Sequence, residues 1–269
     1  MKDLVGAYDA ADAALDPTDR VEMCSAASQA FRETAFGKNV VLEISRDGIS
    51  NIPFGATGDD AFEKASVVVD AANRCILTPK PHRERVMIKG QTRFALEAKH
   101  MGVETAFVMK EAGKAMSAVM RAVVDGASTG VTTHRESVLA NGENTGKQIW
   151  HRDEIASKVV ARMKAGPRKR AEPPPFSAVV AFQTGTRLHV VRGSHRRGTE
   201  SDFSEDEGVG HCIPIGWCSL FNSILVHHGM GSDGEHVRGH MYLTALGCTL
   251  PSFGMIETTL KGPSSEVGG

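Results

Sequence analysis

From about residue 131 onward the chain breaks into short apolar runs rich in β-branched residues, each closed by glycine, proline or asparagine. ESVLA, KQIWHRD, SAVVAFQ, RLHVVRG, CSLFNSILVHH and RGHMYLTAL succeed one another in this way within some 120 residues. Short runs of even spacing, separated by turn residues, predict an antiparallel sandwich or barrel.

The N-terminal half has a different texture. Residues 3–36 predict helix, with Pro17 after Asp16 marking a helix start. VVLEISRDGI (40–49) predicts a strand that turns at Asp47-Gly48. Helix is expected again over 58–75, a short strand over ERVMIKG (84–90), and one or two helices over 93–124. The expected fold is α+β, mainly β with helical support. A helical or mixed N-terminal half (about 1–130) supports a double-stranded β-helix, or jelly roll, over about 131–250, with a tail at 251–269. All 269 residues are expected to form a single domain.

Composition narrows the function classes. A hydrophobic fraction of 41% with 23% charged residues is ordinary for a globular chain. A net charge of -1 gives no global pull toward nucleic acid or anionic membrane. The five cysteines are scattered without a CxxC pair, so neither a zinc knuckle nor a disulfide framework is supported. The acidic start MKDLVGAYDAADAALD lacks the apolar segment of a signal peptide, and no run has the ~18 apolar residues of a membrane helix. A soluble, cytoplasmic protein without a membrane partner is the expectation.

The candidate chemistry sits in QIWHRDE. In a strand, His151 and Asp153 point to one side and Arg152 to the other. An imidazole beside a carboxylate supplies two members of a 2-His-1-carboxylate triad, a donor set suited to iron(II) with open positions. Such a tripeptide also arises by chance, so the order of the later runs carries more weight. SLFNSILVHHG ends a later β-run in His227-His228, and Arg238 opens the next run. Arginine suits an anionic co-substrate beside a metal, because its planar fork binds a carboxylate at two points. A one-residue slip would exchange the faces of His227 and His228, so both stay candidates.

In order, QIWHRDE, LHVVRGSH, IPIGWCSLFNSILVHHG and VRGHMYL resemble the 2-oxoglutarate dioxygenases, most nearly their phytanoyl-CoA-dioxygenase-type branch. The resemblance covers about residues 144–247 and carries no motif of the N-terminal half. It implies His151, Asp153 and His227 as iron ligands, and Arg238 as partner of the distal carboxylate of 2-oxoglutarate. Gln148 and His240 are implied as further co-substrate-facing residues. His240 departs from the small hydroxyl residue common at that slot, as Arg192 does from a proline before Gly-Ser-His. The implied cofactors are Fe(II), 2-oxoglutarate and O2, and the implied outcome is hydroxylation of a small molecule with release of succinate and CO2. The presence of Asp153 disfavours halogenation, while desaturation, cyclisation and epimerisation stay open.

Other readings compete. His134 with Glu136 is a rival HxE metal pair. His189 and His195 suit structural or pocket-wall roles, His211 and His236 loops, and Trp150, Trp217 and Phe221 the core. The basic stretch Arg162, Lys164, Arg168, Lys169, Arg170 suits a solvated loop, a lid, or contact with a protein or nucleic-acid substrate. A metal-binding jelly roll without oxygenase activity is the remaining alternative, and Arg238 argues against it. Oligomeric state and substrate identity are not readable.

Overall fold

The computed structural model describes residues 1–14, 16–54, 59–77, 83–85, 93–124, 130–142, 145–164, 172–197, 203–231, 234–246, 248 and 256–257. Three helices open the chain: α1 (Lys2–Ala13), α2 (Pro17–Glu33) and α3 (Ala35–Asp47). Strand β1 (Ile49–Pro53), helix α4 (Asp59–Leu77), strands β2 (Arg83–Arg85) and β3 (Arg93–Glu97) and helix α5 (Val103–Val123) come next. Then come β4 (Val131–Asn141), β5 (His151–Arg152), helix α6 (Ala156–Met163), β6 (Phe176–Ala181) and β7 (Arg187–Val191). The last strands are β8 (Gly208–Cys212), β9 (Trp217–Asn222), β10 (His227–Gly229), β11 (His236–Ala245) and β12 (Ile256–Glu257).

Two antiparallel sheets face each other as a jelly roll. One has seven strands in the order β1-β9-β6-β11-β4-β3-β2, the other five in the order β12-β5-β10-β7-β8. This is the expected α+β architecture with its double-stranded β-helix core. The outer face of the larger sheet is apolar and takes the helical layer. Val237, Met241 and Leu243 of β11 and Ala178 and Val180 of β6 share a core with Met109, Ala112, Met116 and Val119 of α5. Gly239 lets α5 approach closely: a Cβ there would lie 2.9 Å from both Met109 Sδ and Val180 Cβ. Because side chains alternate along β11, the residues between these face into the barrel: Arg238, His240, Tyr242 and Thr244.

Several local expectations need correction. Residues 40–47 are not a strand but the end of α3. Thr34 caps that helix by accepting from the Gly37 N–H, and Val40 and Ile44, four apart, are its buried face. The β-branched content suggested a strand, but the spacing of four won. Gly48 does not turn a hairpin. At φ 84 it ends α3, its N–H donating to Glu43 and Ile44 carbonyls, and β1 then starts at Ile49. Residues 93–97 are strand β3, paired with β4, where helix was expected; α5 accounts for the rest. The short strand expected over 84–90 is seen only in β2, and the remainder lies outside the described residues. Helix α6, between β5 and β6, was not anticipated. No described helix is long and apolar enough to cross a membrane.

Candidate active site

Strands β5 and β10 are paired with His151 directly opposite His227. Opposed residues of an antiparallel pair project to one face, and the two imidazoles meet with centroids 4.4 Å apart. Asp153 comes after His151 in a bend fixed by its own N–H, which donates to the Ser223 carbonyl at 2.9 Å. Its Oδ1 lies 3.7 Å from His151 Nε2 and 3.8 Å from His227 Nε2. The three donor atoms fall within 4.8 Å of one another, and each residue is buried.

Both rings are presented in the form a metal needs. His151 Nδ1 lies 2.8 Å from the Ile149 carbonyl, and His227 Nδ1 lies 3.0 Å from the Leu225 carbonyl. A carbonyl only accepts, so each Nδ1 carries the hydrogen and each Nε2 turns a bare lone pair to the centre. Burial first, then the neighbouring His227, lowers His151 to about 3; burial lowers His227 to about 4. Both are neutral at pH 7. Asp153 Oδ2 is buried without a hydrogen-bond partner among the described residues. A carboxylate left so is costly unless a cation satisfies it. Two imidazoles and one carboxylate therefore fit a divalent metal with open positions.

The register separates the two adjacent histidines. His228 turns to the opposite face, where its ring lies 4.3 Å from Trp150 and its Nε2 3.2 Å from His189 Nδ1. Trp150 is buried there with Val191, Phe203 and Val226, the core role expected for it. His189 stacks on the same indole at 5.3 Å and is structural too.

Arg238 is buried, opposite Leu139 on β4 and Ala181 on β6, and faces inward. Its guanidinium lies over Gly229, where a Cβ would come within 2.6 Å of Nη2. Gln148 lies over the same glycine: its side-chain oxygen accepts from the Gly229 N–H at 2.8 Å, and its backbone N–H donates to the Gly229 carbonyl at 3.0 Å. The glycine two residues after His227 thus makes room for both Gln148 and Arg238. His240 is inward as well, but its Nε2 approaches Asp153 Oδ2 at 3.9 Å. Burial lowers His240 to about 4, so it adds a neutral ring to the wall.

The rival pair does not converge. His134 Nε2 lies 2.8 Å from Thr244 Oγ1, whereas Glu136 turns toward α5, where a Cβ on Gly113 would lie 3.4 Å from its Oε1. His211 and His236 are strand residues rather than loop residues: His211 bonds Asn51 and Ser219, and His236 bonds Thr186. Asp47 lies 3.6 Å from the Arg192 guanidinium, a structural contact. Of the basic stretch, residues 165–170 lie outside the described residues; Lys164 is exposed just after α6. Tyr242 was missed as a site residue. The alternation that places His240 beside Arg238 also carries Tyr242 inward, its ring 4.6 Å from His240.

No family model and no curated protein matches this chain. Solved structures do. The non-heme α-ketoglutarate-dependent epimerase SnoN from nogalamycin biosynthesis is 15% identical with a TM-score of 0.56, over 84% of this chain and 94% of that one. AviO1 from Streptomyces viridochromogenes Tue57 is 16% identical with a TM-score of 0.56, over 80% and 97%. HygX from Streptomyces hygroscopicus, solved with nickel, 2-oxoglutarate and hygromycin B, is 11% identical with a TM-score of 0.53, over 79% and 88%. The chain has their fold. At these identities the likeness speaks for the jelly roll and its layers, and the role of each residue rests on the geometry above.

Proposed function

We propose that the chain is an iron(II)- and 2-oxoglutarate-dependent oxygenase acting on a small molecule. The observation that carries this is the buried His151–Asp153–His227 cluster with an inward arginine, Arg238, on β11 of the other sheet. The fold shared with SnoN, the carbocyclase SnoK and HygX supports it. The motif order through residues 144–247 keeps the phytanoyl-CoA-dioxygenase-type branch as the subfamily we propose, and the whole chain as one oxygenase domain.

Each residue then has a task. His151 and His227 would hold the metal through Nε2, and Asp153 through a carboxylate oxygen. Arg238 binds the distal carboxylate of the co-substrate through its guanidinium fork. Gln148 fixes Gly229 and so the room in which that fork lies. Bound iron and 2-oxoglutarate would supply the oxidising power for a substrate C–H bond at the expense of dioxygen, with succinate and CO2 as by-products. A carboxylate at Asp153 would take the position a halide needs in a halogenating relative, so hydroxylation is the outcome proposed.

The test is succinate release by the iron-loaded protein with 2-oxoglutarate and pools of small metabolites, peptides or oligonucleotides. Hydroxylation adds one oxygen atom to the substrate mass. Loss of two hydrogens, or no change, would replace hydroxylation by cyclisation or epimerisation, the activities described for SnoK and SnoN. Release stimulated only by peptides or oligonucleotides would overturn the small-molecule assignment.

A further inference from the structure

The two oxygens of Asp153 have different neighbours. Oδ1 is the one near both candidate ligands, 3.7 Å from His151 Nε2 and 3.8 Å from His227 Nε2. Oδ2 is buried and has no hydrogen-bond partner among the described residues. What approaches it is His240 Nε2, at 3.9 Å. That is about 0.7 Å beyond the ordinary N–H···O range, a gap that a small rotation of the imidazole or the carboxylate closes. Contacts of this kind tighten when a site is filled.

The fold holds His240 in this place. It lies within β11, paired on one side with Ser137 of β4 and on the other with Val179 of β6. Its carbonyl accepts from the Ser137 hydroxyl at 3.3 Å. A β-bulge comes directly after it, but the extra residue belongs to β4, where Glu136 and Arg135 stand against the single Met241. The period of β11 is therefore unbroken, and Tyr242 stays on the side of His240 with its ring packed edge-on at 4.6 Å.

The inward residues of β11 diverge from here. Arg238 reaches to the corner formed by Gly229 and Gln148, whereas the His240 imidazole turns to the Asp153 carboxylate. A buried carboxylate oxygen needs a donor or a cation. A carboxylate only accepts, so the imidazole nitrogen facing Oδ2 has to be the one that carries hydrogen. Carboxylates that ligate metals are themselves held by hydrogen bonds, and these outer partners orient the ligand. An oxygen held by His240 is not free to join its twin on the metal.

We infer that His240 is a positioning residue for Asp153: its Nε2–H donates to Oδ2, so that Asp153 offers the metal a single oxygen and leaves room for 2-oxoglutarate and dioxygen. The inference rests on the proposed function, which makes Asp153 a ligand. His240 then serves the carboxylate, and contact with the co-substrate, the role expected from the sequence, is the alternative that the test separates from it.

The test uses the full chain, titrated calorimetrically with Mn(II) alone and then with 2-oxoglutarate at saturating Mn(II). His240→Phe keeps a ring against Tyr242 and removes the N–H. It is expected to weaken Mn(II) binding by about 10- to 100-fold, the effect of losing the outer partner of a ligand. His240→Leu makes the same removal with a smaller side chain and should behave alike. His240→Gln returns an N–H at similar reach and should recover most of the loss. 2-Oxoglutarate affinity at saturating Mn(II) should be unchanged in all three. Wild-type Mn(II) affinity in H240F or H240L, or a loss that H240Q does not recover, overturns the inference. So does weaker 2-oxoglutarate binding with Mn(II) affinity intact, which assigns His240 to the co-substrate. A wild type that does not bind Mn(II) overturns the proposed function, and this inference with it.

Discussion

On the side of the barrel walled by β1, β6, β7, β8 and β9, an apolar cluster fills the interior, with Asn51, Ser219 and His211 hydrogen-bonded to one another beside it. Val179, Leu188, Val190 and Phe221 are each at most 2% exposed and form one cluster with Ile49, Ala181 and Ile213. On the side walled by β4, β5, β10 and β11, inward positions are His151, His227, Arg238, His240 and Tyr242. The alternation is the same on both sides, so alternation tells which residues point inward and not what the interior is for. The apolar side gains free energy on folding through buried area. The polar side buries the Asp153 carboxylate, whose Oδ2 has no hydrogen-bond partner among the described residues, and that costs free energy until a cation arrives. One half of the barrel stabilises the fold and the other half carries the candidate site.

The largest expected contrast is between neighbours on one strand. His227→Ala should weaken binding of a divalent metal by more than about 100-fold, beyond the effect of an outer-shell partner. His228→Ala should leave metal affinity within about tenfold and act on stability, since its ring packs on Trp150 and His189. Calorimetric titration with Mn(II) and thermal melts separate the two; equal loss of metal in both would erase the difference between the faces of β10.

Arg238→Ala should weaken 2-oxoglutarate binding by about 3 kcal/mol, or some 100-fold, as expected for removing one partner of a buried charge pair. Metal affinity should be retained, because Arg238 is not among the clustered donors. On the apolar side the readouts invert. Leu188→Ala should cost about 2–5 kcal/mol of stability in urea denaturation while the metal still binds.

The smallest effect is in pH. His211, on the edge strand β8, is lowered to about 4 by burial and bonds Asn51 and Ser219. In the unfolded chain it takes up a proton near pH 6.5, whereas the folded form stays neutral down to about 4. Its contribution is therefore complete above about pH 6.5 and is lost as pH falls toward 4, with a slope of at most about 1.4 kcal/mol per pH unit. His211→Gln should flatten stability against pH across that window, as measured by urea midpoints.

Much of this was legible in the chain. The β-rich runs after residue 131 became strands of the two sheets, and period two brought His240 to the side of Arg238. His227 could not be separated from His228 by sequence, since adjacent strand residues differ only in face; the pairing with His151 separates them. α3 was misread because Val40, Val41 and Ile44 are β-branched, and only tertiary packing shows that Val40 and Ile44 share a helical face. The bulge that sets Arg135 and Glu136 of β4 against Met241 of β11 was invisible, because it depends on the count of residues in two strands distant in sequence. Tyr242 was within reach of the alternation that found His240.

The central claim is that His151, Asp153, His227 and Arg238 form one site for a metal and a dicarboxylate. An anaerobic titration of the protein with iron(II) and 2-oxoglutarate tests it directly. A weak visible charge-transfer band that saturates with 2-oxoglutarate, and is absent with succinate, is predicted. If no band forms with metal and 2-oxoglutarate in excess, the four residues are not that site.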